Sequence, residues 1–316
     1  MKDKLQSFLE KTELLSLGIV QRNVSLRRLC TMQIGGLSEA AVWPTDVPSF
    51  CRLLLLAKEN DVPYLVLGGG SNLIPGDTPF HGVVLITHRL QKTEISGIKI
   101  KAECGCAMNQ LILHAQKEGL GGMECLYGIP GTVGGAVKMN AGAHGTEIGA
   151  RLENAVLFSP TTGVARAFSQ EELSFSYRYS LLQQRSELVL LEATFRGVSE
   201  DPKRIKAQIA EVVRRRRQTQ PLDMPSAGSI FRRPCHGEIW RMVDACGLRG
   251  LMIGDAQISE KHAGFIVNRG HARTADVCRL IACMHTNIYR SFGVRAVPEV
   301  VFFHLSEEEK CHLPML

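Results

Sequence analysis

No stretch of this sequence is apolar for long enough to cross a lipid bilayer. Short apolar segments such as Leu53 to Ala57 fall far below the roughly 18 residues that a spanning helix requires. The first residues, Met1 to Lys4, lead into a predicted helix that mixes polar residues with leucine, which is not typical of a secretory signal. With 45% hydrophobic and 22% charged residues, the composition indicates a globular protein without stable membrane association.

The ten cysteines lack the spacing of a disulfide framework and of a closed zinc site. Cysteines such as Cys51 and Cys246 lie inside periodic segments rather than in loops, which favours buried, reduced thiols in a cytoplasmic protein. Neither Cys104-Gly105-Cys106 nor the group from Cys278 to His285 supplies the two ligand pairs of a four-coordinate zinc ion. We therefore predict that the protein binds no metal.

The positive charge of the chain does not identify a partner. A net charge of +6 suits an anionic ligand, but it is also common among proteins that bind nothing charged. The run Arg214 to Arg217 has no interleaved aromatic residues for stacking on bases, and arginines are also favoured at the C-terminal end of a helix. We predict no nucleic-acid partner, with RNA docking by this run as the alternative.

The most distinctive stretch is residues 126 to 145, where six glycines fall among residues 128 to 145. Glycine is costly to order, so a compact domain uses it where the backbone needs positive φ or where another group lies against the main chain. Successive unhindered backbone N–H groups of this kind can hold phosphate oxygens. The stretch therefore predicts a cofactor-binding loop, and a glycine-rich loop at a tight domain crossing is the alternative.

A second glycine cluster lies some sixty residues earlier in the chain. The predicted strand Tyr64 to Leu67 runs directly into Gly68-Gly69-Gly70-Ser71-Asn72, an arrangement that suits a diphosphate group. It is not the G-x-G-x-x-G dinucleotide fingerprint, because no third glycine follows at the required place and Pro75 interrupts any helix there. The sequence therefore does not predict a standard Rossmann domain.

Periodicity predicts an α+β first part followed by a second domain. Helices are predicted over residues 45–60, 109–118 and 201–217, and strands over 83–87, 98–103 and 188–196. Beyond them, Thr274 is expected to cap a long helix whose apolar stripe is core rather than a binding face. At 316 residues the chain is long enough for two or three modest domains.

Six motifs taken together resemble one enzyme family, the UDP-N-acetylenolpyruvoylglucosamine reductases. They fall in the family's order between residues 31 and 301: Gly68 to Asn72, Gly128 to Gly145, Ser176-Tyr177-Arg178, Ala227 to Phe231, Lys261 to Asn268 and Pro298-Glu299-Val300. The resemblance implies a two-part FAD-binding domain of the vanillyl-alcohol-oxidase (PCMH) type over residues 1–200, split near residue 90. It also implies a C-terminal α/β substrate-binding domain over residues 201–316.

The reaction implied by the resemblance uses FAD and NADPH. NADPH reduces the flavin, which then reduces the enolpyruvyl ether of UDP-N-acetylglucosamine to UDP-N-acetylmuramate, an early cytoplasmic step of peptidoglycan synthesis. The expected partners are this UDP-sugar and NADPH, and the chain is expected to be a monomer. A flavoprotein oxidase of the same superfamily and a catalytically silent flavin- or nucleotide-binding protein are the alternatives.

The resemblance assigns three catalytic residues. Arg178 would stabilise the enolate that forms when hydride reaches the vinyl carbon, and Ser229 would donate the proton that the enolate carbon then takes. Glu299 would hydrogen-bond the enolic carboxyl group or relay a proton. Without the resemblance, these would be a surface arginine, a turn or capping serine, and a solvated glutamate.

The resemblance also implies which residues bind the ligands. Tyr177, Arg232 and Arg233 would contact substrate, although the family usually has Phe-Lys-Asn-Pro where this chain has Phe231-Arg232-Arg233-Pro234. The second arginine can still bind a diphosphate. The short interval between Arg178 and the next predicted strand resembles the family's shorter type, which lacks a tyrosine-bearing loop. The predicted cofactor-binding residues are Gly68, Gly69, Gly70, Ser71, Asn72, Gly128, Ile129, Pro130, Gly131, Gly134, Gly135, Ala136, Asn140, Ala141 and Gly142.

Overall fold

The computed structural model describes residues 2–313, which divide into two compact units. Each unit is built from several segments of the chain. The expected domain boundary between residues 200 and 201 stays a prediction. The last segment of unit 1 ends at Arg215. Among the described residues, unit 1 comprises residues 2–22, 40–69 and 81–215, and unit 2 comprises residues 23–39, 70–80 and 216–313.

The longer helices agree closely with the apolar periodicity of the sequence. In α2 the Asp46 carboxylate accepts a hydrogen bond from the Ser49 amide at 2.8 Å, Pro48 occupies the first turn, and the predicted apolar face is buried. The helices are α1 (Lys2–Leu14), α2 (Val47–Glu59), α3 (Met108–Lys117), α4 (Val133–Met139), α5 (Pro202–Thr219), α6 (Ile239–Ala245), α7 (Thr274–Phe292) and α8 (Glu307–Cys311).

The strands are short, and most of their pairings join distant parts of the chain. They are β1 (Gly18–Ser25), β2 (Leu37–Pro44), β3 (Tyr64–Leu67), β4 (Leu73–Pro75), β5 (Phe80–Ile86), β6 (Thr93–Ser96), β7 (Lys99–Glu103), β8 (Leu120–Gly121), β9 (Gly142–Ala143), β10 (Thr146–Glu147), β11 (Leu152–Ser159), β12 (Val164–Ser169), β13 (Val189–Arg196), β14 (Val198–Ser199), β15 (Ser226–Ser229), β16 (Met252–Ile253), β17 (Ala256–Ile258), β18 (Phe265–Asn268) and β19 (Val301–Phe303).

Strands that lie before and after the glycine-rich stretch form two larger sheets. The first has the strand order β1-β2-β5-β3, in which β3 and β5 are parallel. The second has the order β12-β11-β13-β7-β6 and is antiparallel throughout. Along the chain, the change from the first sheet to the second falls between Ile86 and Thr93. The glycine cluster at residue 68 therefore follows a strand that is paired in parallel with its neighbour.

Unit 2 is organised around α7 and an antiparallel sheet. The sheet has the order β15-β18-β17-β16, and β4 and β19 form a separate parallel pair. The predicted stripe of α7 is core, because Val277, Leu280, Ile281, Met284 and Ile288 have no exposed surface.

The predicted cap of α7 is wrong by one residue. Arg273 is the residue that precedes the helix, and Thr274 is its first residue. The Thr274 hydroxyl is buried and donates to the Pro75 carbonyl at 2.7 Å, while Asp77 accepts from the Thr274 amide at 2.9 Å. Thr274 thus joins α7 to the end of β4 instead of capping its own helix.

Within residues 2–313, no helix is both long and apolar enough to span a membrane. The same part of the chain contains no group of three or more His, Cys, Asp or Glu side chains that could hold a metal ion. All ten cysteines are free thiols.

Candidate active site

The two predicted glycine loops pack directly against each other in unit 1. A Cβ atom at Gly68 would lie 2.3 Å from the Thr132 hydroxyl oxygen, and a Cβ at Gly69 would lie 2.8 Å from the Cα of Gly131. Both distances are shorter than any side chain tolerates, and Gly69 would collide with backbone. The absence of side chains at these positions therefore allows the two loops to approach backbone to backbone.

The glycine-rich stretch contains α4, which sequence reasoning did not predict. The Val133 and Gly134 amides donate to the carbonyls of Cys106 and Cys104, each at 2.8 Å, and the Gly128 amide donates to the Asn109 side chain at 2.7 Å. These three amides are thus used within the protein. A Cβ at Gly135 would meet only the Thr132 hydroxyl, at 3.9 Å, so the space beside Gly135 is open.

Arg178 lies at the tip of a tight turn in unit 1. Ser176 and Tyr179 exchange backbone hydrogen bonds of 3.1 and 2.9 Å, and Arg178 between them has a left-handed backbone with φ of 55°. Such a conformation is uncommon for a residue other than glycine and concentrates at functional sites. The guanidinium donates to the Gly142 carbonyl at 2.9 Å and lies 5.5 Å from the centre of the Tyr177 ring.

The third glycine of the first cluster belongs to unit 2. Gly70 has φ of 59°, and a Cβ there would lie 2.2 Å from the Leu29 carbonyl oxygen and 2.8 Å from the Cα of Cys30. The Gly70 carbonyl accepts a hydrogen bond from the Thr31 amide at 3.1 Å. Both the positive φ and the close backbone contact require glycine at this position.

The structure brings Asn72, Glu299 and the residues around Ser229 together in unit 2. The Glu299 amide donates to the Ile230 carbonyl at 2.7 Å, and the Asn72 side chain donates to the Glu299 carbonyl at 2.9 Å. Ser229, at the end of β15, is exposed and pairs with Phe265 of β18. A backbone hydrogen bond therefore joins the segment of the predicted glutamate to the residue that follows the predicted acid.

The two arginines that depart from the family pattern have different surroundings. Arg233 forms an ion pair of 3.3 Å with Glu238, and both side chains are more than a third exposed. Arg232 is partly buried, and its Nε has no hydrogen-bond partner among residues 2–313. Its backbone amide donates to the Val297 carbonyl at 2.9 Å, close in sequence to Glu299. Arg232 thus has a buried donor available for a ligand.

Arg216 is a further candidate site residue that the sequence analysis did not predict. It is only 9% exposed, its Nε lacks a hydrogen-bond partner within the described residues, and burial lowers the pKa of its guanidinium. The Gln220 backbone amide donates to the Arg216 carbonyl at 2.9 Å. The Gln220 side-chain oxygen is buried and also has no hydrogen-bond partner among residues 2–313. Helical spacing is the sequence feature that indicates the burial of Arg216. It follows Ile209 and Val212 by seven and four residues and so lies on the same face of the helix.

These features of the described residues suit a ligand that carries phosphate. Buried guanidinium groups are normally paired, and a phosphate oxygen is a geometrically suitable partner for arginine. The loops around Gly69 and Gly131 have no side chains at their closest approach. The side-chain-free loops of unit 1 and the buried arginine donors of unit 2 would each, taken separately, suit a phosphate-bearing ligand.

Two known domain families match the chain. One is an FAD-binding domain over residues 38–158, and the other is the C-terminal domain of UDP-N-acetylenolpyruvoylglucosamine reductase over residues 220–303. The predicted fold class is confirmed, and FAD is the cofactor of the first domain. The two matched domains together define an FAD-dependent oxidoreductase.

Similar proteins identify the family. The chain is 36% identical over 297 residues to the UDP-N-acetylenolpyruvoylglucosamine reductase of Clostridium novyi, with 94% of each chain covered. It is 38% identical over 300 residues to that of Latilactobacillus sakei, covering 95% of this chain and 97% of the relative. The crystal structure of the Thermus caldophilus enzyme superposes with a TM-score of 0.77 at 32% identity, covering 90% of this chain and 99% of that one.

The chain belongs to the UDP-N-acetylenolpyruvoylglucosamine reductase family. The predicted resemblance and enzyme class are therefore confirmed. Membership of the family's shorter type and the roles of individual residues stay predictions.

Proposed function

We propose that this chain reduces the enolpyruvyl ether of UDP-N-acetylglucosamine to UDP-N-acetylmuramate, with NADPH as the reductant. The reaction would take place in the cytoplasm and supply a precursor of peptidoglycan, with the chain acting as a monomer. The observation that carries the residue assignments is the left-handed turn at Arg178, whose guanidinium is held by the Gly142 carbonyl at 2.9 Å. A strained turn that presents a cation is expected where negative charge develops in a reaction.

Arg178 is proposed to stabilise the charge that forms on the substrate. FAD, which the two glycine loops would hold, would supply the hydride chemistry of the reaction, with NADPH as the hydride source and the terminal vinyl carbon as the acceptor. The electron pair of the vinyl group then moves toward the substrate carboxylate, which gives an enolate. Arg178 supplies positive charge and N–H donors to the enolate oxygens, and its fixed orientation means that little reorganisation is needed during the reaction.

Ser229 and Glu299 are proposed to complete the reduction. The Ser229 hydroxyl donates a proton to the enolate carbon, which forms the C–H bond of the lactyl ether and leaves an alkoxide that must take up a proton. Glu299 binds the enolic carboxyl group or relays a proton. The backbone hydrogen bond from Glu299 to Ile230 supports this assignment, because Ile230 directly follows the serine.

The phosphate groups are proposed to bind to the glycine loops and to buried arginines. Arg216 and Arg232 offer buried donors, and Gln220 offers a buried acceptor for a hydroxyl or N–H group of the same ligand. Arg233 and Tyr177 would contact the UDP-sugar. The residues proposed to hold FAD are those of the two loops other than Asn140, whose side-chain donors are used within the protein: Gly68, Gly69, Gly70, Ser71, Asn72, Gly128, Ile129, Pro130, Gly131, Gly134, Gly135, Ala136, Ala141 and Gly142.

The visible spectrum of the purified protein under anaerobic conditions tests this function. NADPH should bleach the flavin band, and the UDP-linked enolpyruvyl ether should restore it without oxygen. A band that bleaches but returns only with oxygen would contradict the proposal and indicate an oxidase. NADH in place of NADPH, at equal concentration, gives the coenzyme preference in the same experiment.

A further inference from the structure

Asn140 ends α4 in a conformation that fixes its side chain inside unit 1. Its backbone is left-handed, with φ of 44° and ψ of 56°, and its residue surface is fully buried. Asparagine tolerates this conformation better than most residues, which explains its presence at the end of the helix.

The hydrogen bonds of the Asn140 side chain are all made within the protein. Its amide nitrogen donates to the Glu147 carboxylate and to the Ser176 carbonyl, both at 2.8 Å, and its oxygen accepts from the Gly149 amide at 3.0 Å. An asparagine amide has two N–H donors, so these bonds use both. The space beside it is closed, since a Cβ at Gly149 would lie 2.9 Å from the Asn140 oxygen. The side chain therefore has no donor left for a bound cofactor.

The partners of Asn140 are the segments that hold Arg178. Ser176 is the base of the turn that presents Arg178, through its backbone pairing with Tyr179. Glu147 pairs with Gly142 in the β9–β10 ladder, and the Gly142 carbonyl accepts the hydrogen bond of the Arg178 guanidinium. The buried Asn140 side chain thus contacts both the turn that carries the Arg178 backbone and the β9–β10 ladder that binds the Arg178 guanidinium.

A second set of bonds fixes the other side of the same turn. The Ser180 hydroxyl donates to the Lys138 carbonyl at 2.7 Å, near the end of α4. The Gln183 side chain donates to the carbonyls of Lys138 and Arg178, each at 3.0 Å. The end of α4 is therefore the support on which the Arg178 turn rests.

We propose that Asn140 is a positioning residue for Arg178, acting with Glu147 as its partner. This inference rests on the proposed role of Arg178 in stabilising charge on the substrate. Its physical basis is that a displacement of a catalytic group by about 1 Å can slow a reaction by about 10²-fold.

Asn140→Ala in the FAD-loaded enzyme tests the inference by stopped-flow absorbance. We expect flavin content and the rate of flavin reduction by NADPH to be unchanged. Reoxidation by the enolpyruvyl substrate should slow by about 10- to 10²-fold. Asn60→Ala is the matched control, because Asn60 also ends a helix and donates from its side chain to a helix carbonyl, that of Leu56. This control should leave both rates unchanged.

A double-mutant cycle separates positioning from general structural damage. If Asn140 acts through Arg178, Asn140→Ala should cause no further slowing of reoxidation in an Arg178→Ala background. Multiplying effects, or loss of flavin from Asn140→Ala, would overturn the inference. An Arg178→Ala variant that reoxidises at the normal rate would instead overturn the proposed role of Arg178.

An exchange of the two partners covers the case in which Asn140→Ala does not fold. Asn140→Asp places a second carboxylate against Glu147, so reoxidation should slow at least as much as with alanine. Adding Glu147→Gln restores a donor and an acceptor between the two side chains, although the bond to Ser176 stays lost. Partial recovery of reoxidation in the double variant is expected, and no recovery would contradict the pairing of Asn140 with Glu147.

Discussion

The side-chain amide of Asn72 donates to the backbone carbonyl of Glu299 at 2.9 Å, and the Asn72 carbonyl accepts from the Val301 amide at 2.8 Å. Asn72 therefore contacts the chain on both sides of Val300, at the start of β19. Because Glu299 is also bonded to Ile230, the amide side chain helps to fix the segment that carries the predicted glutamate. This gives Asn72 a role in unit 2 that its place in a glycine cluster did not indicate.

Asn72→Ala should lower stability by about 1 kcal/mol and slow flavin reoxidation more than flavin reduction. The stability loss follows from one missing hydrogen bond to a backbone carbonyl, and the slower reoxidation from a less well-placed Glu299. Urea unfolding and stopped-flow absorbance measure the two effects. Asn287→Ala, which removes a side-chain bond to the Cys283 carbonyl in the same unit, is the control. Loss of FAD without loss of stability would show that the Asn72 side chain serves the cofactor instead.

Ser229→Ala should separate the two half-reactions. If Ser229 is the proton donor, NADPH should still reduce the flavin at a near-normal rate, while reoxidation by the enolpyruvyl ether slows by about 10²–10⁴-fold. Stopped-flow absorbance at the flavin band measures both rates. Equal slowing of the two half-reactions would show that Ser229 has a structural role in β15.

The sequence predicts those helices that are determined by residues close together in the chain. Helix α2 has its cap, proline and apolar face within a few residues of one another, and the stripe of α7 repeats at helical spacing. Helix α4 was not predicted, because Gly134 and Gly135 are poor helix formers. It is held by bonds from its first amides to the carbonyls of Cys104 and Cys106, which no local pattern reveals.

Only those candidate site residues that lie in family motifs could be predicted from the sequence. The family motifs pointed to Arg178, whereas the parallel pairing of β4 with β19 joins distant segments and leaves no local pattern. The four consecutive arginines are identical in composition, so the run alone does not single out Arg216. In the structure Arg214 forms an exposed ion pair with Glu211, while Arg216 is buried. Spacing from the apolar face of α5 distinguishes them, and composition does not.

Gly70→Ala should be far more destabilising than Gly97→Ala. Both glycines have nearly the same left-handed φ, 59° and 57°, so the intrinsic cost of alanine, about 1–2 kcal/mol, is shared. A Cβ at Gly70 would lie 2.2 Å from the Leu29 carbonyl oxygen, whereas a Cβ at Gly97 meets nothing within 4 Å. The difference between the two variants in urea unfolding isolates the backbone contact. Equal losses would mean that the Gly70 loop can move away from Leu29 at little cost.

Alkylation should distinguish buried from exposed thiols across the alkaline range. Burial raises the pKa of Cys104 and Cys278 to about 12 from an ordinary 9.0, whereas Cys235 and Cys311 are exposed. Because the thiol pKa is higher in the folded than in the unfolded chain, its contribution to the free energy of unfolding is complete below pH 9. This contribution is lost progressively as the pH rises toward 12. Peptide mass spectrometry after iodoacetamide treatment at pH 9 should find the exposed pair modified and the buried pair intact. Early modification of Cys104 would show that the core around it opens readily.

Arg216→Met should stabilise the FAD-free protein and weaken the binding of a phosphate-bearing ligand. The Arg216 Nε is buried and has no hydrogen-bond partner among residues 2–313, and such a donor costs free energy, so its removal should raise the stability of the apoprotein by about 1–3 kcal/mol. Urea unfolding measures this gain. Titration of FAD into the apoprotein, and of UDP into the FAD-loaded protein, shows which ligand loses affinity.

Arg214→Met is the matched control for that variant, since Arg214 lies in the same helix, is exposed and pairs with Glu211 at 2.6 Å. An exposed ion pair contributes about 0–1 kcal/mol, so the control should change neither stability nor affinity by more than that. If Arg216→Met destabilises the apoprotein, the protein itself satisfies the guanidinium and the site is not built for an anion. If it stabilises the apoprotein but leaves both affinities unchanged, the buried charge serves neither FAD nor UDP.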